Sequence, residues 1–545
     1  MARSREWSIQ VTSERLAYLA SGDWSATETL QSRVNDTAVM TPERTAAVDA
    51  GNRRLSYGKL DADADALARS LVDIGVAPGQ VVGMQVQNRV EALIVMCGIE
   101  RAGAVVAPLM PMYREKELQY ISRVANMRTL IVPGRFRNFD YVDMAQRLRA
   151  SAFIDEVIAV EQGGTSADAL SLESLIKSGY SSQADLPELH ADSDAALMFT
   201  SGTTGSPKGV LHNHNTMLSG NRILSRTLGL DSDDVIYVPA VVGHGTGYIW
   251  GLRFALFLGT RAVLLDRWEP ERGARLLEQE QCTWTMVAPT FVQDLLDAAQ
   301  RADIDLKSLR YLSCGGAAPA SSLRSAVRER LGIELLRLYG QTEAFLSTHC
   351  LPDDPDEKLD LTEGRPLPSV ELRIVSDNGT DAEPGEPGEL YVRGPHKCVG
   401  LLTDEGQRRI DADDWIASGD RAVLDASGYL SIRGRIKELI NRGGFKYSPV
   451  EVEDVLHTHP SIARVAVVPT PDGRLGERGC ACVVLRPGTS ITLESIVDFL
   501  RAAGMAPFKW PEQLRIFDTF PMTPSGKIQK HIIQLSLKSE NLSSR

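Results

Sequence analysis

The sequence predicts an α/β chain with a large N-terminal domain of parallel-type sheets flanked by helices and a small α+β C-terminal domain. Three observations predict it. Strand-like and helix-like runs alternate through the middle third. Such alternation implies crossover units and parallel sheet, with ligand loops at the strand ends. Beyond that third the composition turns to short strands around the turn-rich segments Asp377-Asn-Gly-Thr and Glu383-Pro-Gly-Glu-Pro-Gly388. The length, 545 residues, is enough for two or more domains and a large core.

Each element has a local reason. Leu60, Ala64, Leu67, Leu71 and Ile74 recur at helical spacing and Gly75 follows as a stop. The apolar run Ala195–Phe199 reads as a buried strand. In the alternating third, strands are expected at Val235–Pro239, Ala262–Leu265, Thr283–Ala288, Tyr311–Ser313 and Leu335–Tyr339. Helices are expected at Tyr248–Leu258, Glu271–Gln281, Phe291–Ala299 and Ala320–Leu331. After Gly434-Arg-Ile-Lys437 the pattern mixes: strands at Val465–Val468, Cys480–Leu485 and Leu514–Phe517 surround a helix at Leu493–Ala502. A domain boundary is placed there, giving residues 1–436 and 437–545, and the second piece has the size of one small domain.

Composition excludes several classes. Hydrophobic residues make up 43% and charged residues 24%, ordinary values for a globular chain. The net charge of -12, with no basic stripe, argues against a nucleic-acid partner. The charged start Met1-Ala-Arg-Ser-Arg-Glu-Trp is followed by no apolar h-region, and no apolar run reaches membrane-spanning length, so neither a secretory signal nor a membrane span is expected. Seven cysteines without a C-x-x-C pair read as free thiols in a reduced, cytoplasmic setting. Cys480-Ala-Cys482 puts two thiols on one strand face, where packing is the expected role.

The most informative segment is Thr200-Ser-Gly-Thr-Thr-Gly-Ser-Pro-Lys-Gly209. It holds five hydroxyl residues, three glycines and one lysine, and no Asp or Glu occurs from Ala195 to Leu230. Glycines let backbone N–H groups approach phosphate oxygens, while hydroxyls and the ammonium supply further donors. A Walker A element is excluded, because Lys208 is followed by Gly209 where that pattern needs Ser or Thr. A surface linker is the plain alternative, and linkers seldom sit between a strand-like and a helix-like run.

Four further segments carry candidate chemistry. Tyr339-Gly-Gln-Thr-Glu343 ends a strand with an aromatic that could stack on a purine and a carboxylate that could hold magnesium beside phosphates; by itself it could equally cap a helix. Cys314-Gly-Gly-Ala-Ala-Pro319 would let a flat ligand lie against backbone, or be no more than a turn. Asp420, in the tight turn Ser418-Gly-Asp420, could accept two ribose hydroxyls or cap its own backbone. Lys527 stands on a Pro/Gly-framed loop, Pro521–Lys527, where a lysine is usually solvated.

Jointly, Thr200–Gly209, Tyr339–Glu343, Gly388-Glu-Leu-Tyr-Val-Arg-Gly394, Asp420, Gly434-Arg-Ile-Lys-Glu438, Asn441-Arg-Gly-Gly444 and Pro521–Lys527 resemble the ordered core motifs of the adenylate-forming superfamily. That group comprises acyl-CoA synthetases, peptide-synthetase adenylation domains and beetle luciferases. The likeness covers nearly the whole chain. Leu109–Glu117 makes it most similar to short- and medium-chain or alicyclic acyl-CoA ligases. The resemblance adds a distorted β-barrel subdomain and makes the C-terminal domain mobile. It implies ATP, Mg2+ and coenzyme A as cofactor and co-substrates, a small carboxylic acid as substrate, and a homodimer as a family habit. Carried onto matching positions, Thr200, Ser201, Gly202, Thr203, Thr204, Gly205 and Lys208 would meet the triphosphate. Gly315, Gly316, Ala317, Tyr339 and Gly340 would form the adenine slot. Thr342 would touch the α-phosphate and Glu343 would hold magnesium. Asp420 and Arg435 would grip the ribose. Lys527 would bridge acid and nucleotide, Lys437 would be the hinge, and Gly443 and Gly444 would line the path of the pantetheine thiol. His244 matches a histidine of the acyl pocket.

Three features depart from the family pattern. Glu438 replaces an Asp, Lys530 an Arg, and Phe445-Lys-Tyr447 is bulkier than usual, so that Lys446 and Tyr447 could narrow the thiol path or merely change its contacts. No Asp lies between Pro239 and Phe257 to hold an α-ammonium, which disfavours an α-amino acid. Small Gly340, Gly245 and Gly247 would favour a roomy pocket for a bulky or cyclic acid. His212-Asn-His214 could be a metal pair, though the family carries histidines there without one. The leading expectation is an ATP-dependent carboxylate–CoA ligase. The alternatives are an acyl-AMP ligase serving a carrier protein, against which the short stretch 344–387 leaves little room for an inserted block, and a catalytically silent nucleotide-binding scaffold.

Overall fold

The structure, a computed structural model, describes residues 12–160, 169–200, 207–317, 319, 321–443, 445–472, 474–522 and 528–543. The alternating middle third forms one sheet as expected. Strands Val235–Val238, Arg261–Leu264, Trp284–Val287, Tyr311–Cys314 and Glu334–Gln341 pair in parallel within a nine-stranded sheet. Helices Pro270–Gln279, Pro289–Ala302 and Ser321–Leu331 connect them. The Leu60–Ile74 helix is observed at Tyr57–Asp73, with the Ser56 hydroxyl capping the backbone N–H of Lys59.

A second nine-stranded sheet holds strand Asp194–Thr200, antiparallel to Lys208–Asn213 and parallel to Val105–Pro108. Its other parallel strands, Val81–Met84, Thr129–Val132 and Glu156–Ala159, were not expected. They are four-residue, almost wholly buried runs, and periodicity does not separate such runs from helix. One core runs between the sheets through Tyr57, Leu67, Phe254 and Trp284.

The expected helix over Tyr248–Leu258 differs in kind. Residues Tyr248–Arg253 form a π-helical turn that continues into the α-helix Phe254–Leu258. Two contacts fix it. A Cβ on Gly251 would lie 2.5 Å from Val238 Cγ1, and the fully buried guanidinium of Arg253 pairs with the equally buried Glu100. Inserting one residue turns both inward at once.

After residue 370 the chain builds an antiparallel sheet of Glu371–Val375, Pro387–Arg393, Ile416–Leu424 and Leu430–Arg435, with register shifts in the last two pairings. The chain leaves it at Arg435, makes one 3-10 turn at Ile436–Glu438, and enters a separate five-stranded sheet. There the hairpin Ile462–Asp472/Gly476–Leu485 takes Gln513–Ile516 as a parallel neighbour. Helices Pro449–His457 and Leu493–Ala502 cover a core of Ile440, Tyr447, Val452, Leu456, Val467 and Ile496. Among the described residues no helix is long and apolar enough to cross a membrane.

Candidate functional site

Thr200 and Lys208 end and begin the two strands that flank the hydroxyl-rich loop, and they are register partners. The pairing places a hydroxyl and an ammonium side by side at the ends of two interior strands. Ser201, Gly202, Thr203, Thr204 and Gly205 lie outside the described residues, as do Gly444 and Lys527.

Thr342 and Glu343 are the two loop residues of a hairpin between strands Glu334–Gln341 and Ala344–His349, so the segment caps no helix. Neither residue has a positive φ, so the turn is not the primed type that matches strand twist. The register accordingly shifts at Tyr339/Gly340 and Gly340/Gln341. The turn projects the Glu343 carboxylate to 2.5 Å from Lys208 Nζ. Both turn carbonyls are held from outside the hairpin: His212 Nε2, on strand Lys208–Asn213, lies 2.8 Å from Thr342 O, and the N–H of Cys398, in a loop, donates to Glu343 O at 2.8 Å.

Asp420 is not in a tight turn. It lies within strand Ile416–Leu424, where Gly419 takes a φ of 73° and the register shifts. A positive φ suits glycine because it has no Cβ. Asp420 is the register partner of Arg435, whose Nε lies 3.0 Å from Oδ1. The Tyr339 hydroxyl donates to Oδ2 at 2.7 Å, and burial beside this carboxylate raises the phenol pKa well above its usual value.

A cavity of about 140 Å3 opens between these elements. Its walls include Val241, Ile249, Trp250, Met286, Phe291 and Phe345, with backbone from Gly315, Gly316 and Gly340. The apolar wall residues were not singled out from sequence, since nothing local separates a cavity wall from core. His244 lines the cavity and caps the single turn Gly245–Gly247, its Nδ1 accepting from the Thr246 N–H at 3.2 Å. That acceptor role places the proton of the neutral ring on Nε2. Ala317 is exposed just beyond Gly316, which takes a φ of 82°.

The glycines do not make the cavity roomy. A Cβ on Gly340 would lie 1.7 Å from Phe345 O, and one on Gly247 2.4 Å from Val241 O. Close backbone packing demands both, whereas a Cβ on Gly245 would make an ordinary contact, 3.8 Å from Ile249 Cδ1. The histidines also resolve. His212 and His214 are fully buried, burial lowers their pKa values to about 3 and about 4, and no group of metal-ligating side chains occurs among the described residues.

In the C-terminal sheet, Lys437 sits exposed in the Ile436–Glu438 turn. Gly443, with a φ of 61°, begins the two-residue loop between Ile440–Arg442 and Phe445–Tyr447. Tyr447 turns into the lobe's own core against Phe508. Two departures from the family pattern meet: Lys530 Nζ lies 3.7 Å from Glu438 and 2.8 Å from Glu453. A longer acid thus stands opposite a shorter base. The Cys480 and Cys482 sulfurs are buried 4.0 Å apart, packed with Ala466, Val468 and Phe520.

Residues 34–402 match the family model described as AMP-binding enzyme, and residues 451–527 match the AMP-binding enzyme C-terminal domain. The chain is 35% identical over 540 residues to a medium-chain fatty-acid–CoA ligase of Escherichia coli, covering 97% of this chain and 95% of that one. It is 35% identical over 496 residues to a salicylyl-CoA synthase / salicylate adenylyltransferase of a Streptomyces species, covering 89% and 90%. In fold it matches the crystal structure of the anthranilate CoA ligase AuaEII in complex with anthranoyl-AMP, with a TM-score of 0.86, 24% identity, and 96% and 99% of the two chains covered.

Proposed function

The chain belongs to the AMP-binding enzyme family and is an AMP-forming carboxylate–CoA ligase, and we propose that the groups gathered around the Thr342-Glu343 turn carry its first half-reaction. In that step a carboxylate oxygen attacks the α-phosphorus of ATP, the bond to the β-phosphate oxygen breaks, and diphosphate leaves with the electron pair. In the second step the thiol sulfur of coenzyme A attacks the acyl carbon, its proton is lost, and AMP departs.

The obstacle in the first step is electrostatic, since an anion must approach phosphorus already surrounded by negative charge. Preorganised cations remove that obstacle where the charge shifts. Lys208 and the Thr200 hydroxyl lie where a polyphosphate from the 200–209 loop would end. Glu343 is the carboxylate suited to magnesium, which keeps several waters and takes one or two carboxylates plus phosphates. Bound there, magnesium would neutralise phosphate charge. The Lys208–Glu343 contact carries this reading, because each member is the natural partner of one half of a magnesium–phosphate pair. Asp420 with Arg435 would take the ribose, and Gly315, Gly316, Ala317, Tyr339 and Gly340 would border the adenine.

The acid would occupy the cavity beside His244. An apolar cavity of roughly 150 Å3 holds one benzene ring, so the observed volume suits a compact, ring-sized hydrophobic acyl group. Preference for acetate over benzoate or cyclohexanecarboxylate would remove that assignment.

Lys527 would close on the reacting atoms, with residues 1–436 and 437–545 moving about Lys437 and Gly443 and Gly444 flanking the incoming thiol. Residues in the short connections between elements, as Lys437 is, absorb hinge motion. Lys527→Ala should keep the fold and lose nearly all acyl-adenylate formation, while Lys437→Pro should keep adenylation and lose thioester formation. Near-normal adenylation by the first variant rules out its role, and equal survival of both half-reactions in the second rules out the hinge. A wild-type enzyme that makes acyl-AMP but no acyl-CoA would instead serve a carrier protein. The buried free cysteines favour cytoplasmic residence. The reading includes a homodimer, which a single-chain mass by light scattering would remove.

A further inference from the structure

We propose that His212 is a positioning residue shared by the nucleotide and acid sites, holding the Thr342-Glu343 turn through one ring nitrogen and the acyl-cavity wall through its face. The inference rests on the functional reading above.

His212 stands four residues after Lys208 on strand Lys208–Asn213, so the two side chains leave the same strand face. The strand therefore grips the turn twice. Lys208 Nζ meets the Glu343 carboxylate at 2.5 Å, and His212 Nε2 meets the Thr342 carbonyl at 2.8 Å. The two grips differ in kind. Phosphate and metal would each take a member of the first. The second joins a buried ring to a backbone carbonyl and competes with neither substrate.

The same ring stacks on Phe345 at 3.9 Å between centroids and 18° between planes. Phe345 in turn meets Trp250 edge-on at 6.4 Å and 82°. Thr342, Phe345 and Trp250 all line the cavity. Behind the ring, Nδ1 lies 3.1 Å from the Thr216 hydroxyl. A carbonyl only accepts, so Nε2 must carry the proton. Full burial lowers the ring's pKa to about 3, and it stays neutral at working pH.

Wild-type protein must first show acid-dependent exchange of labelled diphosphate into ATP, which tests the functional reading separately. His212→Phe keeps an aromatic face against Phe345 and loses the donor. It should raise KM for MgATP about tenfold and leave KM for the acid within about twofold. His212→Gln keeps an N–H near Thr342 and loses the ring. It should raise KM for the acid about two- to tenfold and spare MgATP. The reverse pattern, or parallel changes in both variants, overturns the proposal, as does no change in either. Nitrogen-15 spectra of histidine-labelled wild-type enzyme need no variant. A neutral Nε2–H ring from pH 5.5 to 8 is expected, and a charged ring or the Nδ1–H tautomer overturns the assignment.

Discussion

Two carboxylates meet two cations in the large lobe, and they are built differently. Glu343 and Lys208 come from different sheets and touch only through their side chains. Asp420 and Arg435 are register partners in one antiparallel sheet, and the Tyr339 hydroxyl closes the cluster from another. The first pair can exchange partners without moving backbone. The second is fixed by the ladder itself. Charge that must shift during a reaction belongs on the first kind of contact, and a group that must hold a substrate still belongs on the second.

Substitutions should separate the two. Lys208→Met removes a cation that would act as charge moves, and loss of one preorganised donor costs about 10²–10³ in kcat. Single-turnover adenylate formation should fall by that factor with KM for ATP less affected. A pure KM effect would place Lys208 with the holding group instead. Asp420→Asn should act the other way. Hydrogen bonds to charged groups contribute about 1.5–3 kcal/mol, so KM for ATP should rise about 10- to 100-fold in steady-state titrations while kcat changes less.

Acid should distinguish the regions next. His212, His214, His349 and His396 are buried, and burial lowers their pKa values to about 3, 4, 4 and 3. The unfolded chain binds protons at these rings below about pH 6.5, whereas the folded chain does not. Stability is therefore fully present above pH 6.5 and is lost as pH falls toward 4, by about 1.4 kcal/mol per pH unit for each ring. His212, in contact with Thr342, belongs to the turn side, and the Asp420 cluster contains no histidine. Hydrogen exchange at pH 5 should loosen residues 208–216 and 342–349 before 416–435. Equal loosening would show that burial of these rings is not what sets acid sensitivity. Tyr339→Phe should be mildest, removing one O–H bond to a carboxylate and raising KM for ATP about five- to tenfold. No change would mean that the Tyr339 hydroxyl does not help to hold Asp420 in place.

Much of this was legible beforehand where chemistry is written in local pattern. The parallel sheet followed from alternating runs, and Lys208, Glu343 and Asp420 stood in segments whose composition was already unusual. What escaped depended on distance across the fold. Strands such as Thr129–Val132 carry no alternation because both faces are buried. The π-helical turn depends on Glu100, far away in sequence. Gly340 and Gly247 suggested space, yet neighbouring carbonyls fill it. The pair His212-Asn-His214 carried no local sign of a role beyond a disfavoured metal pair, and the contacts of His212 with Thr342 and Phe345 supply one. The pairing of Lys530 with Glu438 turned two separate departures from pattern into one.

The central claim is that this chain uses ATP to turn an organic acid into its adenylate, releasing diphosphate. Purified protein with magnesium, ATP and a panel of ring-sized and linear acids should incorporate labelled diphosphate into ATP only when an acid is present and without coenzyme A. Absence of exchange with every acid, or exchange that requires coenzyme A, would contradict it.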